Sequence, residues 1–319
     1  MREVFATAAR WFDEGRTFAL ATLVTLREAA TAPIGTTIAV DAGGRIVGNI
    51  GTGCHESEIV EAAQQTARDG RTRRLDINLT IEDEIFAAPG CGAIMQVVTW
   101  LPEPAFAEEA RAIAAGDRST YVAFEYVDSA GARQTFRNEY PPKESLILIG
   151  ATALAAELAT IAPRSDFNVI VVDPRPSFAT KERLGEAAEI VRKWPQEYLP
   201  SVLSERTHIV MISHDPKFDL PALRCALRSN APYIGLLGSR RSQAARRASL
   251  AQDGFDEGAL ARIHGPAGLD LGGATVAETA LSILAEIVAN RHERLGEPLR
   301  TTSREIHRRA DLLAKVRNG

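Results

Sequence analysis

Cysteine is scarce in this 319-residue chain. Only Cys54, Cys91 and Cys225 occur, an odd number without a close C-x-x-C pair, which argues against both a disulfide framework and a structural zinc site. Free thiols are expected. Net charge is small as well: 37 Lys and Arg against 41 Asp and Glu leave −4, and no basic surface for nucleic acid is built. Long apolar runs are also missing. The N-terminal MREVFATAARWFDEG is interrupted by Asp13 and Glu14, unlike the core of a secretory signal, and the uncharged run from Ser145 to Ala156 is too short to cross a bilayer. These absences lead to the expectation of a cytoplasmic protein with no nucleic-acid or membrane partner. There is no internal repeat and no low-complexity tract.

What is present is 34.5 kDa of chain with 45% hydrophobic residues, a length that suits two domains. Up to about Trp100, the strand-like runs FALATLVTL and TTIAVDAGGRIVGNI precede one helical pattern after Cys54. The pair Gly43-Gly44 is a hairpin signal. From Ser57 to Asp69, the residues Ile59, Val60, Ala63 and Ala67 recur at helical spacing, with Gly70 as the stop. GAIMQVVTWL reads as a strand, EEARAIAAG as a helix and YVAFEYV as a further strand. The segment EYPPKE, with Pro141 and Pro142, is the candidate linker. Beyond it the short apolar runs LILIG, NVIVVD, THIVMIS and YIGLLGS alternate with helical patterns, as in a doubly wound parallel sheet, and EIVRKW is a candidate extra strand. Thr275 and Glu278 form a capping box for the helix TVAETALSILAEIVANRH. The expected organisation is an N-terminal mixed α+β domain over 1–140, followed over 141–319 by a Rossmann-like doubly wound domain with a C-terminal arm. That arm is either packed on a partner or a frayed helix.

LILIG, a helix and a strand ending in Asp173 have the layout of a mononucleotide-binding βαβ unit, with the acidic residue near the distance at which it meets a ribose. The run Gly150-Ala151-Thr152-Ala153 keeps only the first glycine of G-x-G-x-x-G. NAD(P) binding is therefore disfavoured, and the alternative is a Rossmann-like fold whose cofactor turn is filled in. A second candidate anion site is Gly238-Ser239-Arg240-Arg241, where a strand hands over to a helix; a simple serine cap with solvated arginines explains it equally well. His214 ends a strand at the carboxyl edge, where open α/β sheets place ligands, although a hydrogen-bonded loop histidine is the more frequent case; His264 lies in a glycine-rich loop and could contribute to the same edge, although turn geometry alone explains the glycines.

Cys54 follows Gly51-Thr52-Gly53 where a helix begins, so it is either a small core residue or a thiol favoured as thiolate by the helix dipole. Glu56 and Glu58 oppose ionisation. Cys91 stands between Gly90 and Gly92, a context suited to backbone exposure. Two cysteines in glycine-rich turns of one domain suggest a shared site, of use to a soft metal or to a sulfur-transfer reaction, although no spacing rule brings them together. Cys225, among Leu220, Leu223 and Leu227, reads as a core residue.

VIVVDPRPSFA, THIVMISHDPKFDLPALRCAL, PYIGLLGSRR and RIHGPAGLDLGGATVAETALSILAEIVANR, in this order, resemble the XdhC/CoxI family of accessory proteins for molybdenum hydroxylases such as xanthine dehydrogenase. TTIAVDAGGRIVGNIGTGCHE and PGCGAIMQVV are similar to its two cysteine-bearing segments, so Cys54, Glu56, Cys91 and Gly92 fall on matched positions. The resemblance implies a homodimeric protein that binds molybdenum cofactor, protects it while its sulfur ligand is installed and delivers it to the apo-hydroxylase, with a cysteine desulfurase as second partner. Cys54 and Cys91 would contact the metal or its sulfur. The edge carrying Gly150, Asp173, His214, Gly238, Ser239 and Arg240 would hold the organic part. The chain departs from the family pattern at Thr152 and Ala153, where Gly-His is usual, at Thr52 and His55, and at Cys91, where two cysteines are usual. A non-catalytic chaperone is the leading reading; the alternatives are an NAD(P)-dependent oxidoreductase and an interaction protein that has lost its ligand.

Overall fold

The computed structural model describes residues 1–27, 32–51, 56–78, 94–186 and 188–303. The chain divides into two compact units, Met1–Pro142 and Lys143–Ser303.

The first unit contains α1 (Arg2–Asp13), β1 (Phe18–Arg27), β2 (Thr37–Asp41), β3 (Ile46–Val47), α2 (Glu56–Asp69), β4 (Arg73–Asn78), β5 (Ile94–Trp100), α3 (Phe106–Ala115), β6 (Thr120–Val127) and β7 (Arg133–Tyr140). Among the described residues, five strands form an antiparallel sheet in the order β3-β2-β1-β5-β4, and β6 pairs with β7 as a hairpin. The central strand β1 is apolar on both faces because both are covered. Phe18 and Leu20 pack with Val4, Phe5 and Trp11 of α1 and with Ile113 of α3. Ala19, Ala21 and Leu23 turn to the other face, against Ile59 and Ala63 of α2. A strand buried twice loses the apolar–polar alternation and reads as a continuous run.

The Gly43-Gly44 signal is a true hairpin turn: Gly44 has φ +95°, and Asp41 Oδ1 accepts from the N–H groups of Gly43 and Arg45, each at 2.9 Å. Helix α2 stops at Gly70, which adopts φ +72° and donates to the Thr66 carbonyl. Three elements escape the sequence reading. Helix α1 is hidden because Arg2, Glu3 and Arg10 alternate with the buried residues Val4, Phe5, Ala8 and Trp11, which line one helix face. Strand β4 is a polar edge, and in β7 only Phe136, Asn138 and Tyr140 turn inward. The candidate linker accordingly shrinks: Glu139 and Tyr140 end β7, and Glu144 begins the next strand.

The second unit contains β8 (Glu144–Ile149), α4 (Ala153–Ile161), β9 (Phe167–Val172), α5 (Lys181–Leu184), β10 (Ala188–Val191), α6 (Pro195–Tyr198), β11 (Thr207–Met211), α7 (Pro216–Leu227), β12 (Tyr233–Leu236), α8 (Arg240–Gln252), α9 (Glu257–Ala261), β13 (Ile263–His264) and α10 (Val276–Arg291). Its strands are all parallel, in the order β10-β9-β8-β11-β12-β13. This is the doubly wound order 3-2-1-4-5-6, with the reversal between β8 and β11. Leu146 and Leu148 of β8 pack against α4 and α10, while Ile147 and Ile149 pack against α7. EIVRKW supplies the edge strand β10. The capping box of α10 forms as expected: Glu278 N–H donates to Thr275 Oγ1 at 3.2 Å, and Thr275 N–H donates back to Glu278 Oε2 at 2.9 Å. Among the described residues, no helix is long and apolar enough to cross a membrane.

Candidate functional site

The reversal of strand order places the ends of β8 and β11 side by side, with β9 and β12 flanking them. Gly150, directly after β8, has φ +113°. A Cβ there would lie 2.8 Å from the Cα of Ser213 in the turn after β11, so glycine is required both by its backbone angle and by the close approach of that turn. Thr152 has become the N-cap of α4, its Oγ1 accepting from the Ala155 N–H at 3.3 Å.

Asp173, at the end of β9, is 1% exposed and serves the protein itself. Its Oδ2 accepts from the Ala151 N–H at 2.8 Å and from Arg175 Nη2 at 2.7 Å; its Oδ1 accepts from Arg175 Nε and from the Arg175 backbone N–H, both at 2.9 Å. Burial works against the charged form, but the Arg175 guanidinium and the two backbone donors outweigh it and hold the carboxyl below its ordinary range. The acid placed for a ribose and the Ala151 N–H of the turn are thus already engaged with one another, which weighs against NAD(P) at this turn.

After β11, His214 is exposed and takes a left-handed conformation with φ +59°. Below it, Ser213 Oγ donates to Asp219 Oδ1 at 2.6 Å and accepts from the Asp215 N–H. Arg246 of α8 donates to Asp219 Oδ2 at 2.7 Å. Both partners of this ion pair are buried, and burial raises the Asp219 pKa further than Ser213 and Arg246 lower it. Gly238, after β12, has φ +129°, and a Cβ on it would lie 3.4 Å from Arg246 Nη1. The Arg246 guanidinium therefore lies under the Gly238 turn. Ser239 caps α8 through the Ser242 N–H, while Arg240 and Arg241 are exposed. Arg246 Nε is buried without a hydrogen-bond partner, and so is Gln243 Oε1, which lies against Gly265.

The structure therefore brings Gly150, Asp173, His214, Gly238, Ser239 and Arg240 to one sheet edge, with Asp173 in a structural role. His264, at the end of β13, has its Nδ1 3.2 Å from Glu286, a carboxylate that also takes the Tyr233 hydroxyl and the Gly268 N–H. Cys225 is half-buried on α7, its thiol pKa pushed up by burial. Glu56 begins α2, with Oε1 buried and unpartnered. Cys54, Cys91 and Gly92 lie outside the described residues, and among those described no cluster of three or more His, Cys, Asp or Glu side chains could hold a metal. The sequence reading missed Arg175, Asp219 and Arg246. Only Arg246 left a trace, since it shares a helix face with Gln243 and Leu250.

Comparison with known proteins finds a match to the XdhC Rossmann domain over residues 146–287 and to the XdhC and CoxI family over 11–78. The chain is 30% identical over 157 residues to a protein of Bacillus subtilis described as a probable xanthine dehydrogenase component, covering 49% of this chain and 46% of that one. It is 25% identical over 297 residues to protein YqeB of Escherichia coli, covering 89% of this chain and 46% of that one. The chain thus spans about half the length of these two relatives. It is also 21% identical over 308 residues to the molybdenum cofactor insertion chaperone PaoD of Escherichia coli, covering 91% of this chain and 88% of that one. A crystal structure of a xanthine dehydrogenase from Bacillus halodurans shares the fold, with a TM-score of 0.78 at 20% identity over 95% of this chain and 98% of that one.

Proposed function

Because this chain belongs to the XdhC and CoxI family, we propose that it is an accessory protein that takes molybdenum cofactor as cargo for a xanthine dehydrogenase-type hydroxylase. The observation that carries this reading is the end-to-end similarity to a molybdenum cofactor insertion chaperone, over 91% of one chain and 88% of the other. In this reading the protein shields the cofactor during sulfuration, receives sulfur by way of a cysteine desulfurase and hands the product to the apo-hydroxylase, acting as a cytoplasmic homodimer. No step requires turnover by the protein itself.

The chemistry of the cargo suits the residues present. A soft metal with sulfur ligands calls for thiolates, a role we assign to Cys54 and Cys91. Glu56, whose buried Oε1 has no donor, is suited to a polar hydrogen on the cargo. The phosphate calls for free N–H groups and guanidinium charge, which the Gly238-Ser239-Arg240 turn supplies at the start of α8. Gly150 and His214 belong to the same edge. Asp173 acts there through Arg175 and the backbone.

The test is the metal and pterin content of protein made in cells with active molybdenum cofactor synthesis and purified anaerobically. Molybdenum and pterin near one per chain, absent from a Cys54→Ser/Cys91→Ser variant, is the expected result. Equal loading of parent and variant would remove the thiols from the mechanism, and an empty, folded parent would overturn the reading.

A further inference from the structure

We propose that Phe178, Trp194 and the Arg175 guanidinium form a stacking seat for the planar, nitrogen-containing ring of an anionic ligand, at the carboxyl ends of β9 and β10. The seat deepens the cofactor reading, and rests on it for the identity of the ring as a pterin.

Three loops converge there. Phe178 lies in the turn between β9 and α5, Trp194 directly before α6 in the turn after β10, and Phe218 in the first turn of α7 after β11. Phe218 is buried, whereas Phe178 and Trp194 are 41% and 39% exposed. The Trp194 and Phe218 ring centroids are 5.3 Å apart with 31° between planes. Arg175 Cζ stands 4.2 Å from the Phe178 centroid and 5.1 Å from that of Phe218. Arg183 reaches Phe178 as well, at 5.2 Å. Two large aromatic side chains thus keep about two-fifths of their surface open to solvent at the edge where sheets of this order bind ligands, with two guanidinium groups over the Phe178 ring.

Asp173 is what makes this a built seat. By gripping Arg175 through both Nε and Nη2, it fixes the plane of the guanidinium before any ligand arrives. Little side-chain entropy is then lost on binding. Nη1 has no hydrogen bond among the described residues and remains available to an acceptor. Aromatic rings stack on heteroaromatic rings, and the Arg175 guanidinium, already set against Phe178 and Phe218, contributes its Nη1 donor. Asp173 balances the charge of Arg175, so Arg183 supplies the uncompensated charge of the pair and Arg175 Nη1 a charged donor, and together these favour a ring that carries a carboxylate or phosphate. Because Asp173 is consumed in holding Arg175, recognition works through the ring faces and needs no ribose.

Trp194 provides its own readout. The other two tryptophans are buried, Trp11 at 0% and Trp100 at 5% exposure, so a ring stacking in the seat quenches Trp194 selectively. The probe is pterin-6-carboxylate, titrated against the full chain. Saturable quenching is expected, weakened about tenfold (about 1.4 kcal/mol) by Phe178→Ala, which removes one stacking ring. Phe178→Tyr, which keeps the ring, should restore parental affinity. Trp194→Phe should abolish the saturable quench while calorimetry still detects binding, which separates stacking from absorption by the probe. Absence of saturable binding to the folded chain, or equal affinity in Phe178→Ala, would overturn the seat. The two readings fail separately: molybdopterin that loads equally into the parent and Phe178→Ala removes the seat alone, whereas pterin-6-carboxylate binding through Phe178 in a chain that acquires no molybdenum cofactor removes the cargo reading alone.

Discussion

Replacing Asp173 with alanine tests whether this carboxylate is an internal strut. The change removes four accepted hydrogen bonds, two of them from backbone N–H groups. Ala151 is 1% exposed, so its N–H would be stranded without solvent, at a cost of about 1–3 kcal/mol. Arg175 is 39% exposed in its side chain and can rehydrate, which limits its share to roughly 1 kcal/mol. A loss of about 2–4 kcal/mol from the second unit is expected at neutral pH. Hydrogen exchange of peptides spanning β8 and α4, followed by mass spectrometry under conditions where exchange tracks the opening free energy, should accelerate by roughly thirty-fold to several hundred-fold. The sign of the pH dependence is also set. The folded-state pKa of Asp173 is depressed, so its contribution is complete above the unfolded value of about 3.9 and is lost as pH falls through the folded one. The gap between parent and variant should therefore close in acid. Acceleration below about five-fold at neutral pH, or a gap that widens in acid, would refute the strut.

Two further outcomes follow from the same sheet edge. Gly150→Ala forces a side chain into φ +113° and to within 2.8 Å of Ser213 Cα, and should cost about 2–4 kcal/mol, read as a lowered thermal midpoint of the second unit; an unchanged midpoint would show that the β11 turn yields. Asp219 has the opposite linkage to Asp173, because its pKa is raised. Its charge is a liability at neutral pH that protonation relieves, so the parent should gain stability relative to Asp219→Asn as pH falls from the raised value towards about 3.9. Urea midpoints measured at several pH values check this, and parallel curves would contradict it.

Elements whose physics is local were legible in advance. The hairpin at Gly43-Gly44, the stop at Gly70 and the Thr275–Glu278 box each depend on neighbours within a few residues. The apolar strands of the second unit announce a sheet covered on both faces. Helix α1 was not legible, since only the packing of Val4, Phe5 and Trp11 against β1 shows which of its faces is buried. The edge carrying Gly150, His214 and Gly238 was anticipated because strand ends in a parallel sheet collect ligand groups whatever the residues are. The roles within that edge were not.

Composition alone, with three cysteines and almost balanced charge, argued against disulfide scaffolds and nucleic-acid surfaces, and short-range pattern alone set out an α+β unit followed by a doubly wound one. The tertiary structure decided what those patterns leave open. Asp173 looks like a ribose ligand until Arg175 and the Ala151 N–H are seen to occupy it. Arg246 carries no reading in the sequence and gains its role only when α8 turns it inward to Asp219. Phe178, Trp194 and Phe218 lie on separate loops that meet because β9, β10 and β11 end along one edge. The reason is common to all three: periodicity and capping are written within a turn or two of helix, whereas the partners of a buried charge are chosen by strand order, which joins residues far apart in the chain.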